Sequence, residues 1–153
     1  MSVCTFIVAD CDLPEVIAPD NYPVHIDVNK GTVYDGDADD NIRLLAFRDA
    51  DLYSSKKYGV LLEWNYYTEG RANKLISYIK EILQYTDTVE LQHVWIDGGC
   101  WEYEERPVMH KKTINIADLT TVDIKELSNA EIWNKPDKTY PNRPAFYCLV
   151  ISK

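Results

Sequence analysis

The side chains suited to metal binding or nucleophilic attack are few: three histidines and four cysteines in 153 residues. His93 and His110 fall on the apolar-facing parities of two strand-like runs, Val89 to Trp95 and Val108 to Ile116, which read as adjacent antiparallel strands. Two imidazoles on one sheet face could hold zinc together with Cys100 or Cys148. Their spacing matches no zinc-ligand signature and fixes no third ligand, so half-buried core histidines are the expected state and no metal site is assigned. Cys100, in Asp97-Gly98-Gly99-Cys100-Trp101, is the one cysteine on a turn that reads as exposed, with His93 as its candidate base. No oxyanion donor or nucleophile motif accompanies it, so a free surface thiol is expected and no catalytic residue is assigned.

The carboxylates offer less chemistry than their number suggests. The stretch from Asp35 to Asn41 begins like a calcium loop, but Asp40 stands where a glycine is needed and Ala46 where a bidentate glutamate belongs. A solvated acidic turn is expected there. Glu102, Glu104 and Glu105 would need burial to act as general acid and base, and an exposed loop does not supply it. No glycine pattern forms a phosphate cradle, and no cofactor is expected.

Charge narrows the partners. The net charge of −9 argues against nucleic acid, whose phosphates call for a basic face. Residues 1–55 carry 11 acidic and 3 basic side chains, so nearly all of the excess lies in the first third. No apolar run approaches the roughly 20 residues needed to cross a bilayer, so no membrane partner is expected. The cysteines form no CxxC pair and the amino terminus reads as a strand rather than an export signal, which makes the cytoplasm the expected location. Hydrophobic residues at 46% and charged residues at 27% are ordinary for a globular domain.

The elements that must position these residues follow from periodicity. Ala72, Leu75, Ile76, Ile79, Ile82 and Leu83 recur at helical spacing, predicting an amphipathic helix over Glu69 to Tyr85 with Thr68 as N-cap. Thr120 followed by Asp123 resembles a capping box and starts a shorter helix through Ile124 and Leu127. Strands are expected over Tyr58 to Tyr66, through the two histidine runs, and over Ala145 to Ile151, the last apolar on both parities and so covered on both sides. This βαββαβ order predicts an α+β, ferredoxin-like sandwich over residues 58–152, an antiparallel sheet with two helices on one face. One domain, 1–153, is expected. Residues 1–57 are read as an N-terminal β extension, with a strand over Val3 to Val8 and a hairpin turning at Asn29-Lys30-Gly31.

In that order three segments emerge at one end of the sheet. They hold Trp64, Tyr66 and Tyr67; then Trp101, Glu102, Tyr103, Glu104 and Glu105; then Trp133 and Tyr140. Tyrosine and tryptophan anchor interfaces, and rim carboxylates steer a basic partner. The bland alternative is that these rings close the end of the core. The expectation is a non-catalytic acidic binding protein that engages a basic protein partner through this loop cluster, an inhibitor of the immunity-protein kind being one concrete form. A small enzyme or zinc protein using His93, His110 and Cys100 is the alternative, and a small-molecule sensor domain a further one. Charge and aromatic content leave the oligomeric state open.

Overall fold

The computed structural model describes residues 2–17, 25–34, 40–64, 66–96, 109–128 and 146–153. Its elements are β1 (Ser2–Ala9), β2 (His25–Asp27), β3 (Thr32–Tyr34), β4 (Arg43–Ala46), β5 (Tyr58–Glu63), α1 (Glu69–Ile82), β6 (Thr88–Ile96), β7 (Met109–Asn115), α2 (Thr121–Ser128) and β8 (Phe146–Ser152). A 3-10 turn, Arg48–Leu52, joins β4 to β5.

A strand that is apolar on both parities needs cover on both sides. In β1, Cys4, Phe6 and Val8 on one parity and Ile7 and Ala9 on the other are all buried. The strand accordingly runs inside a six-stranded mixed sheet of order β4-β5-β1-β6-β8-β7. It is antiparallel to both neighbours, with Thr5 opposite Leu62 on β5 and His93 on β6.

The ferredoxin-like order expected over residues 58–152 is not the one adopted. That order sets the strand starting at Tyr58 beside the last strand, whereas here β1 separates β5 from β6 and β8 lies on the far edge of β6. The burial demanded by β1 takes the place that the expected core reserved for its own strands. The sheet is also not wholly antiparallel, because β7 and β8 are parallel neighbours and the chain between them passes through α2, as a parallel pair requires. Residues 1–57 are therefore more than an extension: β1 and β4 belong to the main sheet. Among the described residues only the β2–β3 pair forms a separate ribbon, with Ile26 and Val28 exposed, Val28 by 84%.

Two hydrophobic clusters lie on opposite sides of the sheet. On the broad side Ile7, Val60, Leu62, Leu91, Leu149 and Ile151 pack with Leu75, Ile79 and Ile82 of α1 and with Ile124 and Leu127 of α2. On the narrow side Cys4, Phe6, Val8, Val94 and Phe146 pack with Phe47, Ala50 and Tyr53 around the 3-10 turn. That turn fits because β5 carries Gly59: a Cβ there would lie 2.7 Å from Ala50 Cβ and 3.0 Å from the Phe47 carbonyl.

Both helices begin as their capping residues dictate. Thr68 Oγ1 accepts the Arg71 amide at 3.0 Å and donates to Asp40 Oδ1 at 2.6 Å. Asp40, at φ 47°, thereby lays its carboxylate over Gly70, where a Cβ would collide with it. At α2 the Thr120 amide and hydroxyl both donate to Asp123 Oδ2, at 2.9 and 2.7 Å.

The two sheet edges differ. Along β4, Val16 and Leu44 exchange backbone hydrogen bonds at 2.9 Å, and Glu15 Oε1 accepts the Ala46 amide at 2.7 Å. Along β7, the outer edge pairs with no strand among the described residues, and Lys111, Lys112 and Thr113 are exposed.

Candidate functional site

The sheet register brings four strand ends together. Leu62, Thr5, His93, Tyr147 and His110 stand opposite one another in a row across β5, β1, β6, β8 and β7. Just beyond that row β5 and β6 end, at Glu63 and Ile96, and β7 and β8 begin, at Met109 and Phe146. The start of the first aromatic segment, both boundaries of the second and the Phe146 boundary of the third therefore lie at one end of the sheet, although the strand order differs from the expected one.

Within the first segment the rings divide their work. Trp64 and Tyr67 are half-buried, pack against the broad-side cluster and meet edge to face, with centroids 6.4 Å apart. The Tyr67 hydroxyl donates to the Thr121 carbonyl at 3.2 Å, which ties the start of α1 to the start of α2. These two residues close the core end. Tyr66 instead is 47% exposed and lies over the guanidinium of Arg71 at 4.8 Å from the ring centroid. Arg71 is buried, donating from Nε to the Asn41 carbonyl at 3.0 Å and from Nη1 to the Tyr66 carbonyl at 2.9 Å. Its planar fork thus holds the Tyr66 backbone while its face supports the ring. Trp101, Glu102, Tyr103, Glu104, Glu105, Trp133 and Tyr140 lie outside the described residues, as does Cys100.

The two histidines share the broad side but not a site. Their strands are not adjacent: β8 runs between them, and its Tyr147 stacks on His110 with centroids 5.4 Å apart. His93 Nδ1 is hydrogen-bonded to Thr5 Oγ1 at 2.8 Å, and burial lowers its pKa, which favours the neutral ring. His110 Nε2 is buried without a partner among the described residues. Cys148 alternates with Tyr147 and so projects from the opposite side of the sheet, which removes it as a ligand shared with these imidazoles. Among the described residues no group of three or more His, Cys, Asp or Glu is placed to hold a metal ion.

The narrow side carries a polar column that periodicity alone did not single out. Glu90, 8% exposed, accepts the Ser54 hydroxyl and the Gln92 amide at Oε2, each at 2.8 Å, and Lys111 Nζ approaches Oε1 at 3.5 Å. Gln92 is fully buried and its Oε1 has no donor among the described residues. Below it, Lys56 Nζ donates to Thr88 Oγ1 at 2.8 Å and to Asp10 Oδ2 at 2.6 Å. These bonds strap residues 54–56 across β6. Alternation had placed Glu90 and Gln92 on a polar face, and their burial comes from the strap, which is remote in sequence. The neighbouring thiols are inert: burial pushes Cys4 up to about 12, and burial with the Glu90 charge does the same to Cys148.

No protein-family model, curated protein or solved structure matches the chain.

Proposed function

We propose that this chain is a non-catalytic acidic binding protein that holds a basic protein partner at the end of the sheet where the aromatic segments begin and end. The observation that carries this reading is the convergence of Glu63, Ile96, Met109 and Phe146 at one end, with Tyr66 presented outward there on a buried arginine. In this reading Trp101, Trp133 and Tyr140 would be the remaining anchors and Glu102, Glu104 and Glu105 the steering carboxylates, all outside the described residues. Charge supports the same partner chemistry. Asp12, Asp49, Asp51, Glu69 and Glu81 are exposed and form no ion pair among the described residues, leaving a field that draws in cations. An inhibitor of a basic toxin, acting by occluding it, is one form of this function. Tyr147 between the two histidines weighs against the alternative of a zinc site that they share.

Calorimetric titration against basic proteins, toxins among them, tests the proposal. Tyr66→Ala, Trp101→Ala and Trp133→Ala should each weaken binding by about tenfold or more, as central aromatic anchors do. Added salt should slow association. Unchanged affinity in a Trp101→Ala, Trp133→Ala double variant would remove this surface from consideration.

A further inference from the structure

The row Thr5, His93, Tyr147 and His110 crosses four adjacent strands directly beneath the end just described, on the same side as Trp64. On β1, β6 and β8 it interrupts an otherwise apolar surface: one row deeper stand Ile7, Leu91 and Leu149, all fully buried. We propose that His93 makes this row a proton-operated floor, firm when the imidazole is neutral and loosened when it gains a proton.

The geometry explains why a proton is disruptive there. Among the described residues the His93 ring has one hydrogen bond, to the neutral hydroxyl of Thr5, and its other lateral neighbour is Tyr147, 2% exposed. Among the described residues no element packed around it offers an anion. Glu63 of β5 is exposed and turned to Arg43 at 3.6 Å, and Asp123 of α2 is already held by Thr120 and by Lys112 of β7 at 3.1 Å. The cations nearby are committed too, Arg71 of α1 to Tyr66 and Asn41, and Lys125 of α2 above the Tyr67 ring at 5.7 Å. His110 Nε2, buried without a partner among the described residues, lies beyond Tyr147. A charged His93 would therefore sit half-buried with no counter-charge among the described residues.

The direction with pH follows. Burial holds His93 below its ordinary 6.5, so as pH falls the unfolded chain takes up the proton first. The associated stability is complete above that value and is lost on going down through it, by up to about tenfold in the unfolding constant per pH unit for one excluded proton. Carboxylates such as Asp123 act in a more acidic window, because hydrogen bonds from Thr120 and Lys112 outweigh the upward push of its burial. For the proposed binding surface, on whose reading this last consequence alone rests, mild acid becomes a release signal.

Urea unfolding of the free protein between about pH 7.5 and 5.5 tests the inference without any partner. The wild type should lose stability below pH 6.5 with a slope of at most about one proton, His93→Gln should flatten that slope, and His110→Gln should keep it. Amide exchange, corrected for intrinsic rates, should rise first at Leu62, His93 and Tyr147 and later at Val89 and Ile151. If His93→Gln does not fold, an NMR titration of the His93 ring in the intact protein decides, and a midpoint at or above the ordinary histidine value overturns the proposal. A wild-type profile flat over this range, a slope that survives His93→Gln, or equal loss of protection at both ends would overturn it as well.

Discussion

The two sides of the sheet are built on different plans. Below the histidine row, the broad side is apolar at every buried strand position, from Ile7 and Ala9 through Val60 and Leu91 to Ile151. The narrow side sets a carboxylate and an amide, Glu90 and Gln92, between the Phe6 and Phe47 rings on one flank and Lys111 on the other. An apolar side is stabilised by area and is indifferent to which apolar atoms meet. A buried carboxylate is tolerated only while specific donors reach it, so it fixes where the covering segment lies. The contrast assigns bulk stability to the broad side and the register of residues 47–56 to the narrow side.

The sharpest way to break that contrast is Leu91→Ala, which removes a fully buried side chain from the centre of the broad side. It should cost about 2–5 kcal/mol in urea unfolding. A loss near zero would mean that this side is not closely packed. Next in size is Glu90→Ala, which strips the acceptor from Ser54 and Gln92 and the partner from Lys111, and should cost about 1–3 kcal/mol. Converting both Glu90 and Gln92 to leucine should recover much of that loss, since a buried polar pair exchanged for apolar volume is close to neutral. The same double variant should raise exchange around Ser54 and Lys56, whose strap loses its carboxylate. Unchanged protection there would deny the narrow side its positioning role. The smallest effect is expected at Asp123→Ala, about 1 kcal/mol at neutral pH from the lost cap. Because the folded pKa of Asp123 is lowered, that difference should be full above the ordinary 3.8 and shrink as the pH falls through the lowered value.

Local elements were legible because local chemistry sets them. Thr68 caps α1 as its position before the helical stripe implies, and the Thr120 amide donates to Asp123 as a capping box requires. The double-sided apolarity of β8 also reads through, since residues 146–149 and 151 are all buried. Strand order was less accessible, being a matter of long-range pairing. The decisive clue lay in β1, whose two apolar parities demand an interior place, yet its position at the start of the chain made it look like an addition. The short β4 and the 3-10 turn carry too few residues to show a period. Of the aromatic end, only Trp64, Tyr66 and Tyr67 fall within the described residues, and they show that adjacent rings can take opposite duties. Tyr66 and Tyr67 are neighbours in sequence, and only the fold tells the supported outward ring from the one that plugs the core.

The unequal borders of the sheet bear on self-association. Strand-on-strand growth into a fibre needs two receptive margins per molecule, one to give and one to receive. Val16 and Glu15 already occupy the backbone groups that β4 would offer a newcomer. Among the described residues the lysine-bearing margin of β7 is the edge of the main sheet left for such pairing, and a union through it would join like to like and stop at two copies.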